Sequence, residues 1–379
     1  MRNALLTALS LILLSSCARQ SPAPQVQSID GLSYSRTVPL EYAADFRADV
    51  YEAVSGGEFT LLTISGSDTY LLAPENHPAP QNLPAGVKII GVPVQNVYLC
   101  ASSVMSLFSA LGSLDSVRFS SVQKKDYYIE EAVSAMESGA ILYAGRYNAP
   151  DFEFLLNEGC ALAIESSMIY HAPAVLEKLE SLGIPVLVDK SSYEEHPLGR
   201  LEWIKVYGLL TGKFDEARRF FEERARQVDE IASLRDPLSS PPKTVAFFYI
   251  SPSGMAVVRG SDDYIVRMIE IAGGKYVFPQ TQIDSSPSVQ ISMEEFYAGA
   301  ASADILIYNS SIDSTVRSMR DLLAKSPLLA DFAAVRSGNL WATGKSLYQA
   351  TDRIGDMILD LHSIISENGE NLRFLERVE

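Results

Sequence analysis

Residues 200–232 read RLEWIKVYGLLTGKFDEARRFFEERARQVDEIA, and this stretch decides the fold. From Phe214 onward its apolar side chains recur with the 3.6-residue period of a helix, while Arg and Glu fill the opposite face. The apolar face consists of Phe214, Ala217, Phe220, Phe221, Ala225, Val228 and Ile231. The stretch predicts a long helix, with an interruption expected at Thr211-Gly212.

On both sides of this helix, short apolar strands alternate with helical segments. Before it the predicted strands lie at 97–101, 140–144, 161–164 and 186–189, and after it at 244–250, 305–309 and 339–343. Continuous apolar strands separated by helices are typical of parallel sheets covered on both faces. The sequence therefore predicts an α/β fold of two lobes with mostly parallel sheets, joined by one long helix.

Residues 34–75 differ, because β-rich runs there are separated by Gly-Ser turns. We expect an N-terminal β-strand module over 34–85 that packs on the first lobe. The expected organisation is a first lobe at 86–199, a linker helix at 200–235 and a second lobe at 241–379.

The first residues have the pattern of an export signal. Met1-Arg2-Asn3 is a weakly basic lead, and 4–14 is a short apolar run that ends at Leu14-Ser15-Ser16-Cys17. This tetrad resembles the bacterial lipobox, which implies that residues 1–16 are removed and that Cys17 is lipidated. Residues 17–33 would then be a flexible tether. The protein is expected to be exported and held by lipid on the outer face of the cell membrane or in the periplasm.

The net charge excludes one class of ligand, and the cysteine positions indicate the state of the thiols. The net charge of −16 argues against nucleic-acid binding, which favours a basic face. Cys100 and Cys160 lie in apolar runs and are expected to be buried thiols, although an oxidising exterior leaves a disulfide open.

Three ordered motifs carry a family resemblance over residues 90–365. They are Val97–Ser103 with a helix ending Ala110-Leu111-Gly112, then Leu179–Val186, then Met268–Gly274. These motifs resemble the substrate-binding proteins of ABC importers for iron-siderophores, haem and cobalamin. The resemblance implies a ligand held between the lobes, no enzymatic activity, and a permease with its ATPase as partners.

The resemblance also implies two docking residues, Glu153 and Glu294, which would meet arginines of the permease. The alternative is structural, because acids in the first turn of a helix are favoured by the helix dipole. A Ser292–Glu295 capping box would occupy Glu295 and leave Glu294 free.

Ligand contacts are expected from the loops that follow the strands, where α/β proteins bind their ligands. The candidates are Ser102, Ser103, Arg146, Tyr147, Ser166, Ser167, Tyr249, Arg259, Tyr308, Trp341 and Tyr348, together with Glu165. Aromatic and Arg side chains suit a planar or carboxylate-bearing chelate. Tyr147 and Trp341 have the alternative of being core aromatics. The polar loop 191–200 either reaches this cleft or caps the long helix, and we favour the cap.

Direct metal binding and catalysis are not indicated. The four histidines, His77, His171, His196 and His362, are isolated, whereas a metal site needs converging ligands. An alternative for Tyr170-His171 is that one of these side chains serves as an axial ligand of a bound haem. Residues 338–346 resemble a phosphate-binding loop, but the spacing between the first Gly and the Gly-Lys-Ser is one residue too long for that motif. The sequence also contains no nucleophile elbow and no zinc-protease motif.

We therefore expect a monomeric binding protein without a cofactor of its own. Its ligand would be a ferric siderophore, with haem and cobalamin as alternatives. The alternative function is that of a secreted two-domain enzyme whose active site lies in the same cleft between the lobes.

Overall fold

The computed structural model describes residues 27–234, 241–279, 288–366 and 369–379. The predicted signal peptide and Cys17 lie outside these residues. The chain begins with a five-stranded sheet in which β1 to β4 form an antiparallel meander and β5 runs parallel to β4. Its strands are β1 Leu32–Thr37, β2 Phe46–Ala53, β3 Glu58–Ile64, β4 Thr69–Pro74 and β5 Val87–Val92. We call these five strands and their connections the N-terminal sheet.

The first lobe is built on a five-stranded sheet whose pairs are all parallel. Along the chain its strands are β6 Val97–Leu99, β7 Val117–Ser120, β8 Leu142–Tyr143, β11 Leu162–Ser166 and β12 Val186–Asp189, with a small ribbon of β9 Gly145–Arg146 and β10 Ala149–Pro150. Its helices are α1 Met105–Ala110, α2 Glu130–Glu137, α3 Phe152–Asn157 and α4 Pro173–Ser181. Cys100 and Cys160 are buried free thiols in the core of this lobe, as expected.

Three consecutive helices connect the lobes, α5 Pro197–Glu202, α6 Ile204–Thr211 and α7 Phe214–Ser233. The predicted interruption is present, because Gly212 ends α6 in the left-handed conformation with φ of 71°. Only α7 is long, and Ala217, Phe221 and Val228 of its predicted apolar face are buried. The expected single linker helix is therefore three consecutive helices.

The second lobe has a seven-stranded sheet with a parallel centre and antiparallel edges. Its strands are β13 Thr244–Ile250, β14 Ala256–Arg259, β15 Lys275–Tyr276, β16 Ser288–Ile291, β17 Ile305–Tyr308, β18 Leu340–Thr343 and β19 Leu375–Arg377. Its helices are α8 Tyr264–Ile271, α9 Met293–Ala300, α10 Met319–Lys325, α11 Ala333–Ser337 and α12 Ile354–Ile365. The antiparallel strands β14, β16 and β19 have no counterpart in the sequence prediction.

The boundary between the N-terminal sheet and the first lobe lies later than residue 85. Strand β5 pairs with β4 over its whole length, from Thr69 opposite Val87 to Pro74 opposite Val92. The sequence assigned this strand to the lobe because the preceding Pro-rich loop looked like a domain boundary. Within the described residues, no helix has the length and apolar character needed to cross a bilayer.

Helices α6 and α7 pack so closely that one position between them tolerates only glycine. A Cβ at Gly208 would lie 2.6 Å from the Ala217 Cβ atom and 3.1 Å from the Phe214 Cα atom. Such contacts are far inside van der Waals distance, so a side chain there would push the two helices apart.

We therefore predict that Gly208→Ala lowers the free energy of unfolding by about 1–3 kcal/mol, the usual cost of overpacking a core. Urea denaturation followed by circular dichroism measures it. Gly91→Ala is the matched control, because a Cβ there meets nothing within 4 Å. Equal stability of the two variants would contradict the close packing of α6 on α7.

Candidate functional site

A cleft of about 670 Å³ lies between the two lobes, where strands of both sheets end. The first lobe contributes residues that follow β11 and β12, and the second lobe contributes loops beside β13, β14 and α8. The lining residues are Ser166, Ser167, Met168, Ser192, Tyr193, Glu194, Glu195, Arg200, Tyr249, Arg259, Gly260, Ser261, Asp262, Asp263, Tyr264, Ser288, Ile312 and Tyr348.

Arg200, from α5, lies at the floor of this cleft and joins the two lobes. Its guanidinium stacks on the ring of Tyr264, with the Cζ atom 3.5 Å from the ring centroid. Its Nε atom donates to the Glu194 carbonyl oxygen at 3.2 Å, and its Nη2 atom donates to the Ser192 carbonyl oxygen. Burial lowers the pKa of this guanidinium below its usual value. No carboxylate of the described residues forms an ion pair with it, so Arg200 is a partly buried cation that lines the cleft.

Arg259, at the end of β14, is the second cation of the floor. Its Nε atom lies 3.1 Å from the Asp263 Oδ1 atom, and its Nη1 atom donates to the Ser288 hydroxyl at 2.7 Å. Burial acts to lower the pKa of Arg259, but the Asp263 carboxylate outweighs it and holds the pKa above its usual value. Asp263 is itself fixed, because it caps α8 by accepting from the Ile265 amide at 2.9 Å.

Tyr348 forms the wall between these cations and a smaller space of about 20 Å³ beneath them. Its hydroxyl accepts from Asn309 Nδ2 at 2.7 Å, and its ring centroid is 5.8 Å from the Arg259 Cζ atom. The small space is shared by Ser103 and Ser191 of the first lobe and by residues 347–357 of the second. The lobes are therefore in direct contact below the cleft.

The rim of the cleft has a different character from its floor. Met168, Tyr193 and Ile312 are 48%, 55% and 56% exposed, so they give the rim apolar surface. Glu195 and Asp262 are also exposed at this rim. The cleft thus combines two partly buried guanidinium groups with a rim that is partly apolar and partly acidic.

Six of the sequence candidates lie around these spaces. Ser166, Ser167, Tyr249, Arg259 and Tyr348 line the cleft, and Ser103 lines the smaller space below it. The Ser167 and Tyr193 hydroxyls are 2.8 Å apart, which ties the loops after β11 and β12 together.

The other candidates do not lie at the cleft. Tyr308 is fully buried, and its hydroxyl donates to Asp313 Oδ2 at 2.5 Å. The Arg377 guanidinium lies over the Trp341 ring, with the Arg377 Cζ atom 4.5 Å from the ring centroid. Asn339 and Gly369 lie near the same indole. The remaining three, Ser102, Arg146 and Tyr147, line neither space.

The polar loop 191–200 both reaches the cleft and supports the helix. His196 caps the short helix α5, and not the long helix α7, by accepting from the Leu198 amide at 3.1 Å. However, Ser192, Tyr193, Glu195 and Arg200 also line the cleft. Tyr264 was missed because it falls inside a predicted helix, where amphipathic patterning assigns a Tyr to the core. Arg200 belongs to the loop for which the cleft was the less favoured alternative.

The described residues contain no cluster of His, Cys, Asp and Glu arranged to hold a metal ion. His171 is exposed and does not line the cleft. Its neighbour Tyr170 donates to the Ser67 hydroxyl at 3.2 Å, so this pair connects the first lobe to the N-terminal sheet.

The two expected docking residues are exposed, one on each lobe. Glu153 is in the first turn of α3 and Glu294 is in the first turn of α9. Neither caps its helix, because Asp151 caps α3 and the predicted Ser292–Glu295 capping box is present on α9. Both carboxylates are therefore available at the surface.

Glu165 is a buried acid just below the cleft, next to Ser166. Its side chain is fully buried, and neither carboxyl oxygen has a hydrogen-bond partner of normal geometry. Burial raises the pKa of Glu165 from 4.5 to about 8, and the neighbouring Cys100 thiol acts in the opposite direction. The carboxyl group is therefore mainly protonated at neutral pH, and it supports the core rather than contacting the cleft.

Two α/β lobes, bridged by helices and enclosing a polar cleft, define a two-lobed ligand-binding protein. The model of the Periplasmic binding protein family matches residues 103–347, and the chain belongs to that family. It is a family of substrate-binding proteins and not of enzymes, which decides against the enzyme considered from the sequence.

Individual relatives agree with this assignment. An uncharacterized lipoprotein of Methanocaldococcus jannaschii is 23% identical over 354 residues, covering 88% of this chain and 81% of that protein. The periplasmic haem-binding protein HutB of Vibrio cholerae is similar with a TM-score of 0.57 at 20% identity, covering 70% of this chain and 98% of HutB. A structure of an ABC-type Fe³⁺-hydroxamate transport system from Saccharomonospora viridis has a TM-score of 0.54 at 18% identity. The match covers 72% of this chain and 93% of that one. Both structures share the fold.

The raised pKa of Glu165 has a measurable consequence. Between about pH 4.5 and pH 8 the folded state keeps a proton that the unfolded state has lost, so stability falls as the pH rises through this window. We predict that Glu165→Gln removes this loss. The variant should be more stable than the wild type at pH 8 by at least about 1 kcal/mol, with the difference vanishing near pH 5.

Urea denaturation at both pH values measures this difference. Glu153→Gln, an exposed acid on the same lobe, is the control and should show no such dependence on pH. A constant difference between Glu165→Gln and the wild type at both values would contradict the buried protonated state.

Proposed function

We propose that this protein is the lipid-anchored, extracytoplasmic substrate-binding component of an ABC importer and that it captures an anionic ferric chelate between its lobes. The observation that carries the ligand class is the pair of partly buried guanidinium groups that line the cleft. Arg200 has no carboxylate partner among the described residues, so an anionic ligand group would complete its environment. Buried charges are stable in proteins only when they are paired.

The shape and lining of the cleft suit a chelate of this kind. Arg side chains bind carboxylates and oxygen-rich anions through a fixed fork of donors, and they also stack on aromatic groups. Tyr193, Tyr249 and Tyr348 add aromatic surface around the same cleft. A volume of about 670 Å³ lies within the range of small-molecule sites. HutB is named as a haem-binding protein, so haem stays an alternative ligand here, with cobalamin as the second.

A lipid at Cys17 would hold the protein at the membrane, consistent with the M. jannaschii lipoprotein relative. Glu153 and Glu294 would then dock the two lobes on the permease. Exposed charges of this type mainly set orientation and association rate.

The ligand class is tested with a panel added to the full-length protein in detergent. The panel comprises the trianionic ferric tris-catecholate complex, a cationic ferric trihydroxamate, haemin and cobalamin. We expect the ferric tris-catecholate to raise the thermal unfolding midpoint most, because its negative charge pairs with Arg200, which has no carboxylate partner among the described residues. A larger shift with the cationic trihydroxamate would mean that Glu195 and Asp262 at the rim select the ligand, and would overturn the anionic class.

Within the same experiment, Arg200→Gln should weaken tris-catecholate binding at least tenfold, the usual effect of losing a charge-assisted contact. Titration calorimetry measures the affinity. Arg267→Gln is the matched control, because Arg267 is an exposed arginine of α8 that pairs with Glu270. Equal affinities of the two variants would contradict the role of Arg200.

Docking is tested separately by reversing charge at the lobe surfaces. We predict that Glu153→Arg and Glu294→Arg each lower cellular uptake of radioactive iron from the tris-catecholate complex severalfold, because like charges would repel the permease arginines. Affinity of the purified variants for the complex should not change. Glu131→Arg, in the first turn of α2, is the control for an exposed acid of the same lobe. A loss of affinity without a loss of uptake would refute the docking role.

A further inference from the structure

The loop between β1 and β2 of the N-terminal sheet forms an unusual contact with the segment between the lobes. Five consecutive backbone amides, from Glu41 to Asp45, donate to two buried carboxylates of that segment. The N-terminal sheet lies outside the family match at 103–347. Its contact with the inter-lobe segment is therefore an addition to the part of the chain that the family model describes.

Glu202 accepts from three of these amides. The amide nitrogen of Glu41 is 3.0 Å from Oε1, and those of Tyr42 and Ala43 are each 2.8 Å from Oε2. Lys205 completes the cluster, because its Nζ atom is 2.6 Å from Glu202 Oε1 and donates to the Pro39 carbonyl oxygen at 3.0 Å. Glu202 is fully buried, so each of these partners is needed to keep its charge inside the protein.

Glu194 accepts from the next two amides and from the inter-lobe segment itself. The Ala44 and Asp45 nitrogens are 2.9 Å and 3.0 Å from its carboxylate oxygens, and Trp203 Nε1 donates at 2.9 Å. One carboxylate thus joins the N-terminal sheet to the indole at the junction of α5 and α6. The loop and the inter-lobe segment are held together at both ends of α5.

Ring contacts reinforce this arrangement. The Tyr42 ring stacks on His196, the cap of α5, with centroids 4.6 Å apart. Phe46 meets Trp203 edge to face at 5.2 Å. A Cβ at Gly199 would lie 3.1 Å from the Tyr42 carbonyl oxygen, so the loop approaches the helix closely.

The residues held in this way are also those that shape the cleft. Arg200 lies on α5 between Glu194 and Glu202, and its Nε atom donates to the carbonyl oxygen of Glu194. Tyr193 and Glu195 flank Glu194 and line the cleft. The Glu194 side chain therefore faces the N-terminal sheet while its backbone holds the guanidinium at the cleft floor.

We infer that the N-terminal sheet is a brace for the ligand cleft, and that its 39–45 loop fixes residues 191–205 and thereby positions Arg200. The sheet acts as a positioning element and does not contact the ligand. Its effect on ligand affinity rests on the proposed function, whereas its effect on the inter-lobe segment does not.

The test uses hydrogen exchange of the full-length protein in detergent, read by mass spectrometry over peptides covering 191–203. Tyr42→Ala removes the stacking on His196 from a partly exposed position, so the fold is retained. Exchange of these amides should accelerate about fivefold, as expected for the loss of one aromatic pair. Tyr42→Phe keeps the ring and should restore wild-type exchange.

Tyr34→Ala is the matched control, because Tyr34 is another half-exposed tyrosine of the same sheet and packs on Tyr51 at 5.9 Å. It should leave exchange over 191–203 unchanged. Unchanged exchange in Tyr42→Ala, or equal acceleration in Tyr34→Ala, would overturn the brace.

A second measurement connects the brace to binding. Affinity for the ferric tris-catecholate complex should fall about fivefold in Tyr42→Ala and should be unchanged in Tyr42→Phe and Tyr34→Ala. If the complex fails to bind the wild type, the proposed ligand class fails and the exchange experiment still decides the brace. Faster exchange with unchanged affinity would overturn the positioning of Arg200.

Discussion

The buried carboxylate of Glu202 is the constraint on which the rest of this structure depends. A charge with no exposed surface must be balanced by its surroundings, and here the balance comes from three backbone amides and from Lys205. These partners belong to the N-terminal sheet and to α6, so the sheet cannot move away without leaving the charge unpaired. Glu194 repeats the arrangement eight residues earlier in the chain, accepting from the amides of Ala44 and Asp45.

Two other sets of contacts hold the molecule together, one between the N-terminal sheet and the inter-lobe helices and one between the two lobes. The N-terminal sheet and the inter-lobe helices are held by the carboxylates, by Phe46 on Trp203 and by the close approach of α6 to α7 at Gly208. The lobes meet through Arg200 on Tyr264 and, further away, through Gln349, whose amide bonds the Tyr128 nitrogen at 2.9 Å and the Asp126 oxygen at 2.8 Å.

Buried ionisable groups in this protein serve different purposes, which their surroundings distinguish. Glu202 is satisfied by donors and supports the scaffold. Glu165 lacks such donors, and burial raises its pKa to about 8, so it behaves as a neutral core group near neutral pH. Arg200 has carbonyl partners but no carboxylate among the described residues, and the proposal of an anionic ligand rests on this difference. The two glutamates differ in role because Glu202 has hydrogen-bond donors around its carboxylate and Glu165 does not.

By itself the sequence determined the two α/β lobes, the helical connection with its break at Gly212, the buried thiols and the capping box at Ser292, because periodicity and local turn chemistry are encoded over short distances. Five cleft-lining candidates, including Arg259 and Tyr348, also followed from the rule that α/β proteins bind ligands beyond their strand ends. Only the tertiary structure decided that β5 belongs to the N-terminal sheet, that Tyr308 and Trp341 face away from the cleft, and that Arg200 faces into it. Those outcomes depend on contacts between separate elements, such as Thr69 opposite Val87, Arg377 on Trp341 and Arg200 on Tyr264, and no local pattern specifies which partner an element will find.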